Sequence, residues 1–244
     1  MTKLNVILPA AGKGSRLNLP YPKEILRFDK ERALIDSSFD LFKKYSRNEV
    51  QFSVIINEDK TEIVKYLSKY KSQFNINFTY QNPEEKEYTG AIKSAQYLFG
   101  DNNLVLLPDT IITLPNKVDL LKTLIDNLNQ DSFTFLFKSE RSAEVLKSKG
   151  CLQLDDNGSV IGYEDKPCTD TSMFSGYWCA FAFKKRIFDD CIAFMEQSTF
   201  KKRKRPIKID QTAIFKSKVI KVDSYVDLGT WEAIGKLFSD SYTE

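Results

Sequence analysis

The chain has no histidine among its 244 residues, and this absence removes several kinds of chemistry at once. Serine and cysteine nucleophiles are commonly activated by a histidine base, and many catalytic metal ions are held by imidazole nitrogens. Neither arrangement can be built from this composition. Any reaction must therefore use carboxylates, lysines, arginines or a cation that is bound by oxygen atoms.

Cysteine is scarce and widely spaced. The four cysteines form no Cys-x-x-Cys pair, and no histidine is present to complete a zinc site. We expect all of them to be buried thiols in a reducing cytoplasm. They are Cys151, Cys168, Cys179 and Cys191.

Long hydrophobic runs are also missing. No run approaches the length that spans a bilayer, and residues 1–3 lead into an apolar stretch that is too short for a targeting signal. We therefore expect a cytoplasmic protein with no membrane partner. A net charge of +3 is too small to indicate nucleic-acid binding. The basic run 201–205 contains no aromatic residue, and we interpret it as a solvated loop.

The first informative stretch is a short apolar run, 4–8, followed by a loop of small residues. The continuous pattern favours a strand that is covered on both faces. In the loop, Gly12 and Gly14 let the backbone approach an anion, so peptide N–H groups can face phosphate oxygens. Arg16 and Lys23 add positive charge. This stretch predicts a polyphosphate-binding loop.

Two common phosphate motifs do not fit this loop. A P-loop needs glycine at position 7 and a hydroxyl residue at position 14, where the chain has Ile7 and Gly14. A dinucleotide-binding fingerprint needs a third glycine where Leu17 stands.

The first half of the chain alternates apolar strand patterns with amphipathic helix patterns. This alternation predicts an α/β fold with a largely parallel, helix-covered sheet. Ligands bind beyond the carboxyl ends of such strands, where the loop at 9–16 and Asp109 would lie. The Asp-Asp-Asn-Gly sequence at 155–158 predicts a hairpin and a more antiparallel second half.

The predicted elements follow from these patterns. Strands are expected at 4–8, 52–56, 77–80, 104–107, 132–137, 151–154, 160–163, 177–183 and 219–222. Helices are expected at 35–45, 59–70, 90–99, 118–127, 184–194 and 207–215, with a last one around Ile234. In the helix at 59–70, we expect Asp59 or Thr61 as the cap and Val64 facing inward. We predict one domain, 1–244, with halves of about 1–115 and 116–244.

Several segments together resemble one enzyme family. The sequence Ala-Ala-Gly-x-Gly-Ser-Arg at 10–16, with Pro-Lys at 22–23, closely resembles the signature loop of the sugar-1-phosphate nucleotidyltransferases. Leu-Leu-Pro-Asp at 106–109 is similar to the family's metal-binding strand end, in the form found in UTP:glucose-1-phosphate uridylyltransferases. Gly150 with Glu-Asp-Lys-Pro at 164–167 resembles the sugar-phosphate segment. Asp-Leu-Gly-Thr at 227–230 resembles the second metal-binding aspartate.

The resemblance implies a fold, a reaction and a set of roles. The fold is a Rossmann-like three-layer sandwich, and the phosphate of a sugar 1-phosphate attacks the α-phosphorus of a nucleoside triphosphate. Because that nucleophile is already an anion, no histidine base is needed. Arg16 would bind the triphosphate, Lys23 the α-phosphoryl oxygens and Lys166 the acceptor phosphate, while Asp109 and Asp227 would hold Mg²⁺.

The resemblance also implies two sets of binding residues. The nucleotide would contact Ala10, Ala11, Gly12, Lys13, Gly14, Ser15, Gln81 and Gly90. The acceptor would contact Gly150, Glu164, Lys166 and Gly176.

Departures from the family pattern concern the substrates. Glu87 replaces the first glycine of the family segment that follows Gln81, which leaves the base open. Asp165 stands where glutamate is commoner, which leaves the acceptor open. UTP is favoured. The alternatives are a cytidylyltransferase acting on a non-sugar phosphomonoester and a catalytically silent nucleotide-binding regulatory homologue. Nucleic acid is not expected as a partner, and a homo-oligomer is left open.

Overall fold

The computed structural model describes residues 2–85, 87–168, 170–199 and 214–241. The protein is of the predicted α/β class. The chain forms two compact units. The first unit comprises Met1–Gly100, Val105–Ile112 and Ser224–Glu244, and the second comprises Asp101–Leu104 and Thr113–Asp223.

Three parallel strands organise the first unit. β1 (Leu4–Pro9) pairs with β2 (Val50–Ile56), which pairs with β3 (Asn75–Tyr80). The apolar residues of β1 are buried, as expected for a strand that is covered on both faces. β4 (Asn102–Val105) is shared between the two units, and the Leu106 N–H after it donates to the Ile7 carbonyl. The parallel sheet predicted from the alternating pattern is confirmed.

The helices of the first unit are shorter than predicted. α1 is Asp36–Asp40, α2 is Glu62–Leu67 and α3 is Glu87–Ser94. Four 3₁₀ helices accompany them among the described residues, at Lys23–Ile25, Glu58–Lys60, Ser68–Tyr70 and Gln96–Leu98.

Two details predicted for the segment 59–70 are wrong. The side chain of Asn57, rather than of Asp59 or Thr61, caps the segment by accepting the Asp59 N–H. Val64 is 38% exposed, whereas Ile63 and Leu67 are buried. The reason is that the segment contains tight 3₁₀ turns at both ends, which rotate its faces away from a continuous 3.6-residue period.

The first unit also contains a small sheet that the sequence patterns did not predict. β5 (Thr110–Thr113) pairs with β11 (Ser224–Asp227), and α7 (Trp231–Ser241) follows. The Leu228 N–H donates to the carbonyl of Asp109 at 2.9 Å. The segments that carry Asp109 and Asp227 are therefore neighbours.

The second unit has more antiparallel pairing, as predicted. β6 (Phe133–Ser139) pairs antiparallel with β9 (Gly176–Lys184), and β7 (Gly150–Leu154) pairs antiparallel with both β8 (Val160–Asp165) and β9. Parallel pairing occurs between β6 and β10 (Val219–Lys221). The described part of this unit contains the α-helices α4 (Leu120–Asp131), α5 (Ala143–Leu146) and α6 (Phe188–Thr199), and a 3₁₀ helix at Lys185–Ile187.

One cysteine prediction is wrong. Cys168 is exposed because it lies in the loop that follows β8, whereas Cys151, Cys179 and Cys191 are buried. The predicted helix 207–215 lies mostly outside the described residues, and its last two positions form part of a turn. The basic run 201–205 lies wholly outside them. No helix in the described part of the chain is long and apolar enough to cross a membrane.

Candidate active site

The loop after β1 is fixed at its base and open at its tip. The Ala10 N–H donates to the Ile55 carbonyl at 2.8 Å, and Asn57 Nδ2 donates to the Ala11 carbonyl at 2.8 Å. Gly14 has a φ of 65°, which favours glycine, and the chain turns there. Residues 12, 13, 15 and 16 are exposed. The loop therefore presents accessible backbone and charge on a rigid base.

Residues near the other end of the sequence pack against the loop and donate a hydrogen bond to it. Leu17 is buried in a cluster with Leu34, Leu228 and Ile234. In addition, Trp231 Nε1 donates to the Leu17 carbonyl at 3.1 Å. Sequence reasoning missed this support, because an apolar residue in a loop gives no indication of its partner.

The side-chain ends of Arg16 and Asp227 both lie close to Gly229. A Cβ atom placed on Gly229 would lie 2.9 Å from Arg16 Nη2 and 3.0 Å from Asp227 Oδ1. Asp227 Oδ1 also accepts the Gly229 N–H at 2.9 Å. Only a residue without a side chain leaves both charged groups where they are.

Lys23 and Asp109 form an ion pair in the same unit. Lys23 Nζ contacts Asp109 Oδ2, and the two side chains are only 15% and 10% exposed. A Cβ atom placed on Gly14 would lie 3.6 Å from the stem of Lys23, so the lysine side chain runs close to the loop. The structure thus brings together a predicted phosphate-binding cation and a predicted metal ligand that are 86 positions apart in the sequence.

A second ion pair, which sequence reasoning missed, involves the residue that follows Lys23 in the chain. Lys60 Nζ donates to both carboxylate oxygens of Glu24 at 2.8 Å, and both side chains are buried. Burial raises the pKa of Glu24 and lowers the pKa of Lys60, while the attraction between the two opposes each shift. No sequence signal links these two positions.

A cavity of about 320 Å³ opens beside the loop. Three lysines line it, together with the amide of Asn57 and the carboxylate of Asp59. Two of the lysines, Lys23 and Lys60, are already paired with carboxylates. Its lining residues are Lys13, Gly14, Leu19, Pro20, Tyr21, Pro22, Lys23, Asn57, Asp59 and Lys60.

The donor set at Asp109 and Asp227 fits Mg²⁺. Within the described ranges there is no group of three or more histidine, cysteine, aspartate or glutamate residues that could hold a metal ion. Mg²⁺ needs no such group when it is bound through one or two carboxylates and the phosphates of a substrate. Two carboxylates on adjoining segments, near the loop after β1, fit that requirement.

Gln81 and Gly90 both organise the turn that follows β3. Gln81 Nε2 donates to the carbonyls of Glu85 and Glu87 at 2.6 and 3.0 Å. A Cβ atom on Gly90 would lie 2.3 Å from the Glu85 carbonyl oxygen, so glycine is required by packing alone. Glu87 has a φ of 63°, a left-handed conformation that favours glycine. The contacts predicted between this turn and a nucleobase stay a prediction.

The four predicted acceptor residues lie together in the second unit. Gly150 on β7 is paired with Asp165 on β8, and Cys151 is paired with Glu164. Gly176 on β9 is paired with Leu152.

Lys166 and the two glycines are tightly constrained. The Lys166 N–H donates to the Lys149 carbonyl, and Lys166 has a φ of 51°. Strained backbone of this kind concentrates at functional sites. A Cβ atom would lie 2.2 Å from Trp178 Nε1 at Gly150 and 2.1 Å from the Lys138 carbonyl oxygen at Gly176. Both glycines are therefore explained by packing.

Comparison with known proteins decides the family. A family model described as nucleotidyl transferase matches residues 4–244. The chain belongs to this family. The family that the sequence motifs resemble is confirmed, and the protein is a nucleotidyltransferase.

Solved structures show the same fold. A glucose-1-phosphate thymidylyltransferase from Bacillus anthracis, solved with sucrose, is 16% identical with a TM-score of 0.71, covering 98% of this chain and 95% of that one. A UDP-glucose pyrophosphorylase complexed with UDP-glucose is 16% identical with a TM-score of 0.69, covering 100% and 99%. A UTP-bound UGPase from Acinetobacter baumannii is 15% identical with a TM-score of 0.70, covering 99% and 93%. A search of curated protein sequences found no match to this chain.

For a nucleotidyltransferase, the first unit offers the required charges. Transfer of a nucleotidyl group moves negative charge onto a leaving group and needs little besides positioning and cations. Arg16, Lys23 and the exposed loop provide such cations and N–H groups. No histidine takes part in this arrangement.

Proposed function

We propose that this nucleotidyltransferase uses Mg²⁺ to join UTP to a sugar 1-phosphate. A phosphate oxygen of the sugar 1-phosphate forms a bond to the α-phosphorus of UTP, and the bond to the bridging oxygen breaks to release pyrophosphate. The products are a UDP-sugar and pyrophosphate. The observation that carries the proposal is the meeting of Lys23 with Asp109 beside the loop.

The loop and its cations would hold the triphosphate. Arg16 binds the β- and γ-phosphates and then the departing pyrophosphate, together with the N–H groups of residues 12–15. Lys23 reaches the oxygens on the α-phosphorus, where charge develops as the bond breaks. Holding two anions in line is the main catalytic task, since the nucleophile needs no deprotonation.

Asp109 and Asp227 would hold the metal ion. When bound, Mg²⁺ neutralises phosphate oxygens and helps the pyrophosphate to leave. Asp109 would exchange its ion pair with Lys23 for the metal ion, and Asp227 lies close to Gly229, as does the end of Arg16.

The second unit would bind the acceptor, and 1–244 would be one catalytic domain. Lys166 meets the sugar phosphate, with Glu164, Gly150 and Gly176 forming the surrounding surface. The names of the similar structures support a sugar 1-phosphate and a pyrimidine nucleotide, since they include a UDP-glucose pyrophosphorylase and a thymidylyltransferase. Gln81 and Gly90 would shape the place of the base.

The test is a pyrophosphate-release screen. UTP, CTP, dTTP, ATP and GTP are each combined with a panel of sugar 1-phosphates and other phosphomonoesters, with and without Mg²⁺. We expect the fastest release from UTP with a sugar 1-phosphate, and none without the metal. Release from CTP with a non-sugar phosphomonoester would replace this proposal by a cytidylyltransferase. Silence with every donor would replace it by a nucleotide-binding regulatory protein.

A further inference from the structure

The residue next to Lys23 in the chain, Glu24, forms a buried ion pair with Lys60. Glu24 follows Lys23 in the 3₁₀ helix Lys23–Ile25, and its carboxylate accepts two hydrogen bonds from Lys60 Nζ at 2.8 Å. The Glu24 side chain is 1% exposed and the Lys60 side chain 6%. Adjacent residues in one short helix thus have different partners, Asp109 for Lys23 and Lys60 for Glu24.

Stability alone does not account for this pair. Two charges lose their hydration when they are buried, and their mutual attraction returns about the same free energy, so apolar residues of similar volume often serve as well or better. Burial raises the pKa of Glu24 and lowers that of Lys60, which shows that desolvation acts against both charges. The pair therefore calls for an explanation in terms of geometry.

The geometry ties the helix of Lys23 to two neighbouring segments. On one side, the Glu24 carbonyl accepts the Ile35 N–H at 2.9 Å. On the other, the Glu24 carboxylate is held by Lys60, which ends the 3₁₀ helix Glu58–Lys60 just after β2. The helix that carries Lys23 is thereby held by two other segments of the chain.

We propose that Glu24 and Lys60 are positioning residues that hold the ammonium of Lys23 at the reacting phosphorus. The inference rests on the proposed function, because the role of Lys23 belongs to it. Lys60 also lines the cavity beside the loop, so the rival explanation is that Lys60 binds substrate itself. A positioning role changes kcat, whereas a binding role changes KM.

The experiment compares variants of the full chain in steady-state pyrophosphate release and thermal unfolding. The main variant is the double substitution Glu24→Leu/Lys60→Met, which removes both charges and keeps apolar volume. Lys23→Met reports on the proposed function itself. Lys184→Met is the matched control, since it removes another largely buried lysine that pairs with Asp101 in the second unit.

We expect the double variant to unfold within a few degrees of the parent, with kcat lower by about tenfold or more and an unchanged KM for UTP. Lys184→Met should keep the parental kcat. A folded double variant with parental kcat overturns the positioning role, and a raised KM with parental kcat assigns Lys60 to substrate binding instead. Full activity of Lys23→Met would show that the proposed function itself has failed. This result can be distinguished from both outcomes for the double variant.

A second variant covers the case in which the double variant does not fold. Glu24→Asp keeps the charge but withdraws the carboxylate by one carbon atom, so the ion pair draws the 3₁₀ helix out of place. We expect kcat to fall with little change in the melting temperature. A folded Glu24→Asp protein with parental kcat overturns the proposal.

Discussion

The ammonium of Lys23 and the carboxylate of Asp109 are paired at the base of the loop, and both are largely buried. Each group is therefore the main neutralising partner of the other. A change at either one leaves a poorly hydrated charge without its counterion, which is costly. Removing both charges together should therefore spare stability, whereas activity should be lost whichever charge is removed.

Lys23→Met and Asp109→Asn should each abolish most pyrophosphate release, by about a hundredfold or more, because each removes charge stabilisation of the reacting phosphates. Each single variant should also unfold at a lower temperature. The double variant Lys23→Met/Asp109→Asn should recover the melting temperature but not the activity. Steady-state assays and thermal melts measure both effects. Near-normal release from either single variant would refute the assignment.

Gly229→Ala should impair catalysis with little effect on folding. The new methyl group would lie 2.9 Å from Arg16 Nη2, and the mobile end of an arginine side chain can move away at small cost. Misplacement of a phosphate-binding group by about 1 Å can lower the rate by about a hundredfold. The free energy of unfolding should change by less than about 1 kcal/mol. The measurement is kcat beside urea unfolding.

Gly235→Ala provides the matched control for that substitution. Gly235 lies in α7, and apart from its chain neighbours and the nearby backbone of that helix, nothing in the described structure is within 4 Å of its Cβ position. Alanine should raise the free energy of unfolding by about 1 kcal/mol through helix propensity, with unchanged activity. An equal loss of activity in both variants would mean that the effect is not specific to Arg16.

Glu87→Gly should stabilise the protein. Glu87 has a φ of 63°, where a side chain is strained and glycine is not. We expect the free energy of unfolding to rise by roughly 0.5–1 kcal/mol, measured by chemical denaturation. The neighbouring exposed residue Glu84 has no positive φ, so Glu84→Gly should act in the opposite direction. Equal effects of the two changes would contradict the explanation.

Alkylation should select one cysteine. Burial raises the pKa of Cys151 and of Cys179 to about 12, and the pKa of Cys191 is raised as well, so these thiols stay protonated and inaccessible at pH 8. Cys168 is exposed in a loop. A thiol-reactive dye should therefore label one equivalent rapidly, as followed by mass spectrometry of peptides. Cys168→Ser should abolish the rapid phase, and its persistence would show that a buried thiol reacts.

The elements that the sequence predicted best are those with strong local signals. The continuous apolar run of β1 and the Asp-Asp-Asn-Gly turn between β7 and β8 need no distant partner to be recognised. β5 and β11 were missed because each is four residues long and is stabilised mainly by the other, across more than 110 positions. Short strands of this kind have almost no local signature.

In the candidate site, too, some features could be predicted from local sequence and others could not. The closeness of the loop and Asp109 could be predicted, because residues that follow parallel strands lie at the same edge of a sheet. Glu24 and Lys60 could not, because a buried charge and a surface charge look alike in a sequence. Asn57 capping and the exposure of Val64 depend on where 3₁₀ turns interrupt a helix, which local propensity does not determine.

The hydrogen bond from Trp231 to the Leu17 carbonyl spans 214 positions, and the whole second unit lies between its ends in the sequence. During synthesis, the loop that would hold the triphosphate stays without its support until residue 231 has left the ribosome. The first unit begins earliest and is completed last. A nascent chain stalled after Asp223 should therefore fail to bind nucleotide, even though every residue of the loop has long been made.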